Sequence, residues 1–200
     1  MTVESNFASA SARHRMELIV PCDDAFSMSE LAYRITDSSN FRFAWQFYRF
    51  PGKAPVSAED IRIALKTITE KRECHRFLER NFGGEFTIDP MHEHCKIEKE
   101  SGEFENILAR AADDHLGAYS LDTRDATPDE KARIARLFRQ SGSYASFALV
   151  PGDVPGCRKC HDRLDYLFSN WFFGVAWDWT LFAAWPEAQL LWMGCLTDTD

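Results

Sequence analysis

The residues with the clearest chemical potential are cysteines and histidines, and one group of them is closely spaced. Cys157, Cys160 and His161 form a Cys-x-x-Cys-His run. Two thiolates at this spacing can share a tetrahedral zinc ion, and an imidazole can supply a third ligand. A second run supplies further nitrogen and sulfur ligands, namely His92, His94 and Cys95. One interpretation is therefore a zinc-binding domain, or a metal-dependent enzyme, that uses these two runs.

The cysteines also have a simpler interpretation. The chain has six of them, and its N-terminal sequence lacks the basic and apolar segments of a secretory signal. We therefore expect a soluble, cytoplasmic protein with reduced thiols, most of them buried as small apolar side chains. A Cys-x-x-Cys pair can also act as a redox pair. On this simpler interpretation the protein has no cofactor. The zinc interpretation requires that the two Cys/His runs meet in space.

Other catalytic signatures are missing from the sequence. It contains no Gly-x-Ser-x-Gly elbow, no phosphate-binding glycine loop, no His-Glu-x-x-His motif and no dinucleotide fingerprint. Paired carboxylates are adjacent in sequence or terminal, as at Asp23 and Asp24, which is typical of a solvated surface. The sequence favours a protein without enzymatic activity, and no catalytic residue is predicted.

The last 37 residues are rich in tryptophan and acid and contain no base after Arg163. Aromatic rings supply binding energy at interfaces, and carboxylates steer a cationic partner. We expect a partner-binding surface made of four acids and two anchoring tryptophans: Asp178, Glu187, Asp198, Asp200, Trp185 and Trp192. An alternative is that the strand over 177–185 lies at the centre of a sheet, because both of its faces are largely apolar.

Charge and composition narrow the class of partner. The net charge is −8, from 31 acids against 23 Lys and Arg. Binding of nucleic acid requires clustered bases, so we expect no nucleic-acid partner. The most apolar stretch is interrupted by acids, so we expect no membrane span. The sequence predicts a protein-binding module, namely an acidic inhibitor or a toxin-immunity protein that masks a basic site on its partner.

The elements that must position these residues follow from periodicity. Alternation from Phe41 to Phe50 predicts a strand, and Thr127, Pro128 and Glu130 predict a capped helix start. Further strands are predicted over 16–20, 85–88, 144–150, 177–185 and 190–196, the last two as a hairpin. Further helices are predicted over 57–80, 104–116 and 157–173.

The predicted fold class is α+β, with a mainly antiparallel sheet packed by three to four helices and a C-terminal helix followed by the β-hairpin. We expect a flexible N-terminal arm over residues 1–15 and a single domain over 16–200, with a weak subdivision near 117–126.

Overall fold

The computed structural model describes most of the elements predicted from the sequence. It covers residues 19–38, 41–49, 57–70, 95–99, 102–113, 115–116, 124–151 and 177–198. Over these residues the fold is α+β, with four α-helices and a six-stranded antiparallel sheet. The predicted fold class is confirmed. The N-terminal arm, the strand over 85–88 and the helix over 157–173 lie outside the described residues.

All six described strands belong to one sheet, in the order β1-β2-β6-β5-β4-β3. The strands are β1 Val20–Cys22, β2 Phe41–Arg49, β3 Cys95–Lys99, β4 Ala145–Pro151, β5 Trp177–Trp185 and β6 Leu190–Asp198. Every neighbouring pair is antiparallel. The turn over 186–189 joins β5 to β6, so the predicted hairpin is confirmed.

The described α-helices are α1 Ser29–Ser38, α2 Ala58–Glu70, α3 Glu103–Ala112 and α4 Pro128–Phe138. α4 begins with the predicted capping box, in which the Thr127 side chain accepts from the Glu130 N–H and the Glu130 carboxylate accepts from the Thr127 N–H. α2 begins with a similar pair, because Ser57 and Asp60 each accept the other's backbone N–H. These local signals fix where both helices start.

The sheet is covered on both faces. On one face, β2, β5 and β6 pack against α1, α3 and α4 in an aromatic cluster that includes Phe47, Phe138 and Trp185. On the other face, a second cluster joins the sheet to the apolar stripe of α2, at Ile61 and Leu65. β5 and β6 are therefore central strands, as the alternative interpretation of the tail expected.

The alternation predicted for β2 is also observed. Phe41, Phe43 and Phe47 belong to the first cluster, while Ala44 and Tyr48 belong to the second. Successive side chains of a strand point to opposite faces, so a single sequence pattern supplies both cores. None of the helices in the described ranges is long and apolar enough to cross a lipid bilayer.

Low pH should destabilise the start of α4. The pKa of the Glu130 carboxyl lies well below its ordinary value of 4.5, because Arg124 donates two hydrogen bonds to it and the Thr127 N–H donates another. A depressed pKa in the folded state means that the stabilisation is fully present above the ordinary pKa and is lost as the pH falls below it.

We therefore expect the wild-type protein to lose stability more steeply than Glu130→Gln as the pH falls from about 5 to about 3. Urea denaturation at several pH values measures this difference. Parallel curves for the two proteins would contradict the assignment.

Candidate functional site

The two tryptophans predicted as partner anchors are in the core. Trp185 is 1% exposed and Trp192 is 0% exposed. The Trp185 indole stacks on Phe138, with ring centroids 6.1 Å apart, and its Nε1–H donates to the Phe138 carbonyl at 3.1 Å. Trp192 packs edge-on against Phe138 and Phe104. Neither indole is available to a partner at the surface, which corrects the expectation for these two residues.

The physical reason is the position of the hairpin in the sheet. β5 and β6 are flanked by β4 and β2, and three helices lie over the face that carries both indoles. Aromatic side chains on a central strand become buried because removing their apolar surface from water is favourable. The aromatic row of the tail therefore builds the core.

The hairpin also separates the predicted acids. Glu187 is exposed in the turn, whereas Asp178 and Asp198 lie at the opposite end of the two strands. The seven residue-to-residue steps from Asp178 to Trp185 span about 23 Å at about 3.3 Å per step. Glu187 therefore cannot share one contiguous patch with the other two acids, whose backbone alone is described, and Asp200 lies outside the described residues.

The metal prediction remains untested by the described residues. Cys157, Cys160, His161, His92 and His94 all lie outside them, and Cys95 enters only as the first backbone position of β3. Within the part of the chain that the structure describes, no three metal-binding side chains come together.

The described cysteine side chains are thiols. Within the described residues neither Cys22 nor Cys195 forms a disulfide bond, and Cys195 is fully buried. Burial raises the pKa of the Cys22 thiol, which makes its reactive thiolate scarcer. The expectation of small buried thiols holds for Cys195.

An exposed aromatic residue between acids lies elsewhere, on α1. Glu30, Tyr33 and Asp37 are all exposed, and Tyr33 retains 66% of its accessible surface. Their i, i+3, i+7 spacing places them on one side of the helix, while Leu31 and Ile35 face the core. We call Glu30, Tyr33 and Asp37 the α1 surface.

The segment before α1 adds to the same charge. Asp23 and Asp24 are exposed between β1 and α1, and Asp24 accepts a hydrogen bond from the Trp45 indole at 3.1 Å. Val20, at the edge of the sheet, is 51% exposed. Among the described residues, the exposed large hydrophobic ones are Val20 and Tyr33. Both belong to the segment 19–38.

A second polar cluster lies beside the start of α3. The Tyr144 hydroxyl donates to Glu105 Oε1 at 2.8 Å in a cleft that also contains Arg139. Burial, and then the Glu105 carboxylate, raise the pKa of Tyr144 above its ordinary value of 10. A phenol with a raised pKa stays protonated, so Tyr144 acts as a hydrogen-bond donor to Glu105 and does not act as a base.

Sequence reasoning missed the α1 surface although a signal for it exists. Helical periodicity over 29–38 separates Leu31 and Ile35 from Tyr33 and its acidic neighbours. The C-terminal segment holds more tryptophans than α1, but the number of aromatic residues does not distinguish a core from a surface.

Comparison of the chain with family models, with curated proteins and with solved structures finds no match.

Proposed function

We propose that the protein is a non-enzymatic binding module that recognises a basic protein partner through the α1 surface, as an acidic inhibitor or a toxin-immunity protein would. The observation that carries this proposal is the exposed Tyr33 ring between the carboxylates of Glu30 and Asp37. Tyrosine is enriched among the residues that dominate interface energies, and flanking acids select cationic partners.

The charge distribution supports a cationic partner. The segment 19–38 contains four exposed acids and one base, Arg34. The Arg34 guanidinium is engaged by Asp113, with Nη2 and Oδ1 2.5 Å apart. The net charge of the whole chain, −8, has the same sign as the α1 surface. A field of this sign accelerates association with a basic protein, and salt screens it.

The α1 surface is held in place before any partner arrives. Leu31 and Ile35 anchor the helix in the aromatic core, and the Arg34–Asp113 ion pair ties it to the residue that follows α3. A rigid helix loses little conformational entropy on binding. Less of the favourable free energy of its contacts is therefore offset, and the affinity is higher.

Charge reversal tests the proposal. In Glu30→Lys/Asp37→Lys, capture of a basic partner from the source cells should fall at least tenfold, because two attractive charges become repulsive. The control is Glu59→Lys/Glu187→Lys, which changes the net charge equally at two exposed positions outside α1. Quantitative mass spectrometry of material captured by the wild-type and variant proteins measures the effect.

The single substitution Tyr33→Ser separates binding from folding. Tyr33 is exposed, so the free energy of unfolding should change by less than about 0.5 kcal/mol. Partner binding should weaken by at least about 2 kcal/mol if the ring is an interface hot spot. Equal losses in the control double variant, or full binding by Tyr33→Ser, would place the interface elsewhere.

A further inference from the structure

A pocket of about 310 Å³ lies between α1, the C-terminal end of α3 and α4. Its floor is apolar, formed by Leu31 from α1, Ala112 from α3, and Ile134 and Leu137 from α4. The volume lies at the lower end of the range for small-molecule sites, about 300–1,000 Å³. The pocket is therefore large enough for a small organic ligand.

One wall of the pocket is cationic. Arg34, Arg133 and Arg136 all line it, and Glu30 is the only acid among the lining residues described. The pocket thus has a positive balance of charge in a chain whose net charge is −8. This local reversal distinguishes the pocket from the α1 surface, with which it shares Glu30.

A half-buried carboxylate, that of Asp113, holds two of the three arginines. Asp113 Oδ1 lies 2.5 Å from Arg34 Nη2, and Asp113 Oδ2 lies 2.7 Å from Arg133 Nη2. One carboxylate thus fixes two guanidinium groups that come from different helices. Side chains already held in position lose less entropy when a ligand binds, which increases affinity for a given set of contacts.

The chemistry of the wall selects an oxyanion. A guanidinium has five N–H donors in a planar fork, and this fork matches the two oxygens of a carboxylate or a phosphate. Asp113 takes a bond from Arg133 through one nitrogen, Nη2, and Arg136 stands beside it on the same helix. An oxyanion bound there would leave the rest of the ligand over the apolar floor.

We propose that this pocket binds a small organic acid, with its carboxylate or phosphate on Arg133 and Arg136 and a short apolar body against Leu31, Ile134 and Leu137. The two proposed sites share Glu30, but they can be tested separately because Tyr33 does not line the pocket.

Isothermal titration with five probes tests the proposal: benzoate, acetate, phenyl phosphate, inorganic phosphate and benzamide. Benzoate should bind at least tenfold more tightly than acetate, because only benzoate covers the apolar floor. Benzamide has the ring without the charge and should not bind measurably. Phenyl phosphate against inorganic phosphate repeats the comparison for the other head group, and the tighter of the two aromatic probes identifies the head group.

Two arginine variants distinguish binding in the pocket from non-specific attraction of an anion to positive charge on the protein. Arg136→Gln should weaken benzoate binding at least tenfold, whereas Arg139→Gln removes an equal charge one turn further along, outside the pocket, and should have no effect. Tyr33→Ser should leave benzoate binding unchanged, so failure of the protein-partner proposal would remain distinguishable. Equal binding of benzoate and acetate, or equal effects of Arg136→Gln and Arg139→Gln, would overturn the proposal.

Discussion

Gly194→Ala should cost about 3 kcal/mol of folding free energy or more, and Gly194→Val should prevent folding. Gly194 lies in β6, between Trp45 of β2 and Leu181 of β5. A Cβ atom there would lie 2.6 Å from Cζ2 and 2.8 Å from Cζ3 of the Trp192 ring, and closer still to its Cη2. Trp192 is fully buried, so its ring cannot swing into solvent to make room.

The loss is large compared with what a domain can tolerate, since total stability is typically about 5–15 kcal/mol. Urea denaturation followed by circular dichroism measures it. The matched test is the double variant Gly194→Ala/Trp192→Leu, in which the smaller side chain frees the space. We expect Gly194→Ala to be less costly in the Trp192→Leu background than in the wild type, as contacting residues couple. Additive effects would show that the indole does not cover Gly194.

Trp185→Ala should lower the free energy of unfolding by about 3–5 kcal/mol. The substitution empties a fully buried site, removes stacking on Phe138 and on Phe47, and leaves the Phe138 carbonyl without its indole donor. Trp185→Phe keeps most of the ring volume and should cost less, because the lost hydrogen bond is the main change.

This prediction separates the core assignment from the surface role expected from the sequence. A surface anchor would tolerate Trp185→Ala with a change in stability below about 0.5 kcal/mol. Chemical denaturation monitored by far-ultraviolet circular dichroism distinguishes the two cases. A variant as stable as the wild type would contradict burial of the ring.

Local patterns predicted the elements well because the interactions behind them are local. The alternation from Phe41 to Phe47 identified β2 and both of its faces, and the capping box of Thr127 and Glu130 identified the start of α4. Each of these signals spans fewer than ten residues and depends on the geometry of one strand or one helix turn. The hairpin of β5 and β6 follows from its turn residues in the same way.

Placement of the functional residues depends on contacts that are distant in sequence. Arg34 and Asp113 meet across 79 positions, and no pattern in the chain announces that pairing. The role of Trp185 depended on which strands flank β5 and which helices cover it, which local periodicity does not encode. The separation of Glu187 from Asp178 could have been predicted from the sequence, because the predicted hairpin places the two residues at opposite ends of its strands.

Photo-crosslinking from position 33 tests the central claim most directly. Benzoylphenylalanine replaces Tyr33 in one variant and Ala132, an exposed residue of α4, in the other. The proposed function predicts that position 33 crosslinks a basic protein in the source cells, that Glu30→Lys/Asp37→Lys removes this product, and that position 132 does not give it. The same product from both positions, or a product from position 33 that survives the charge reversal, would contradict it.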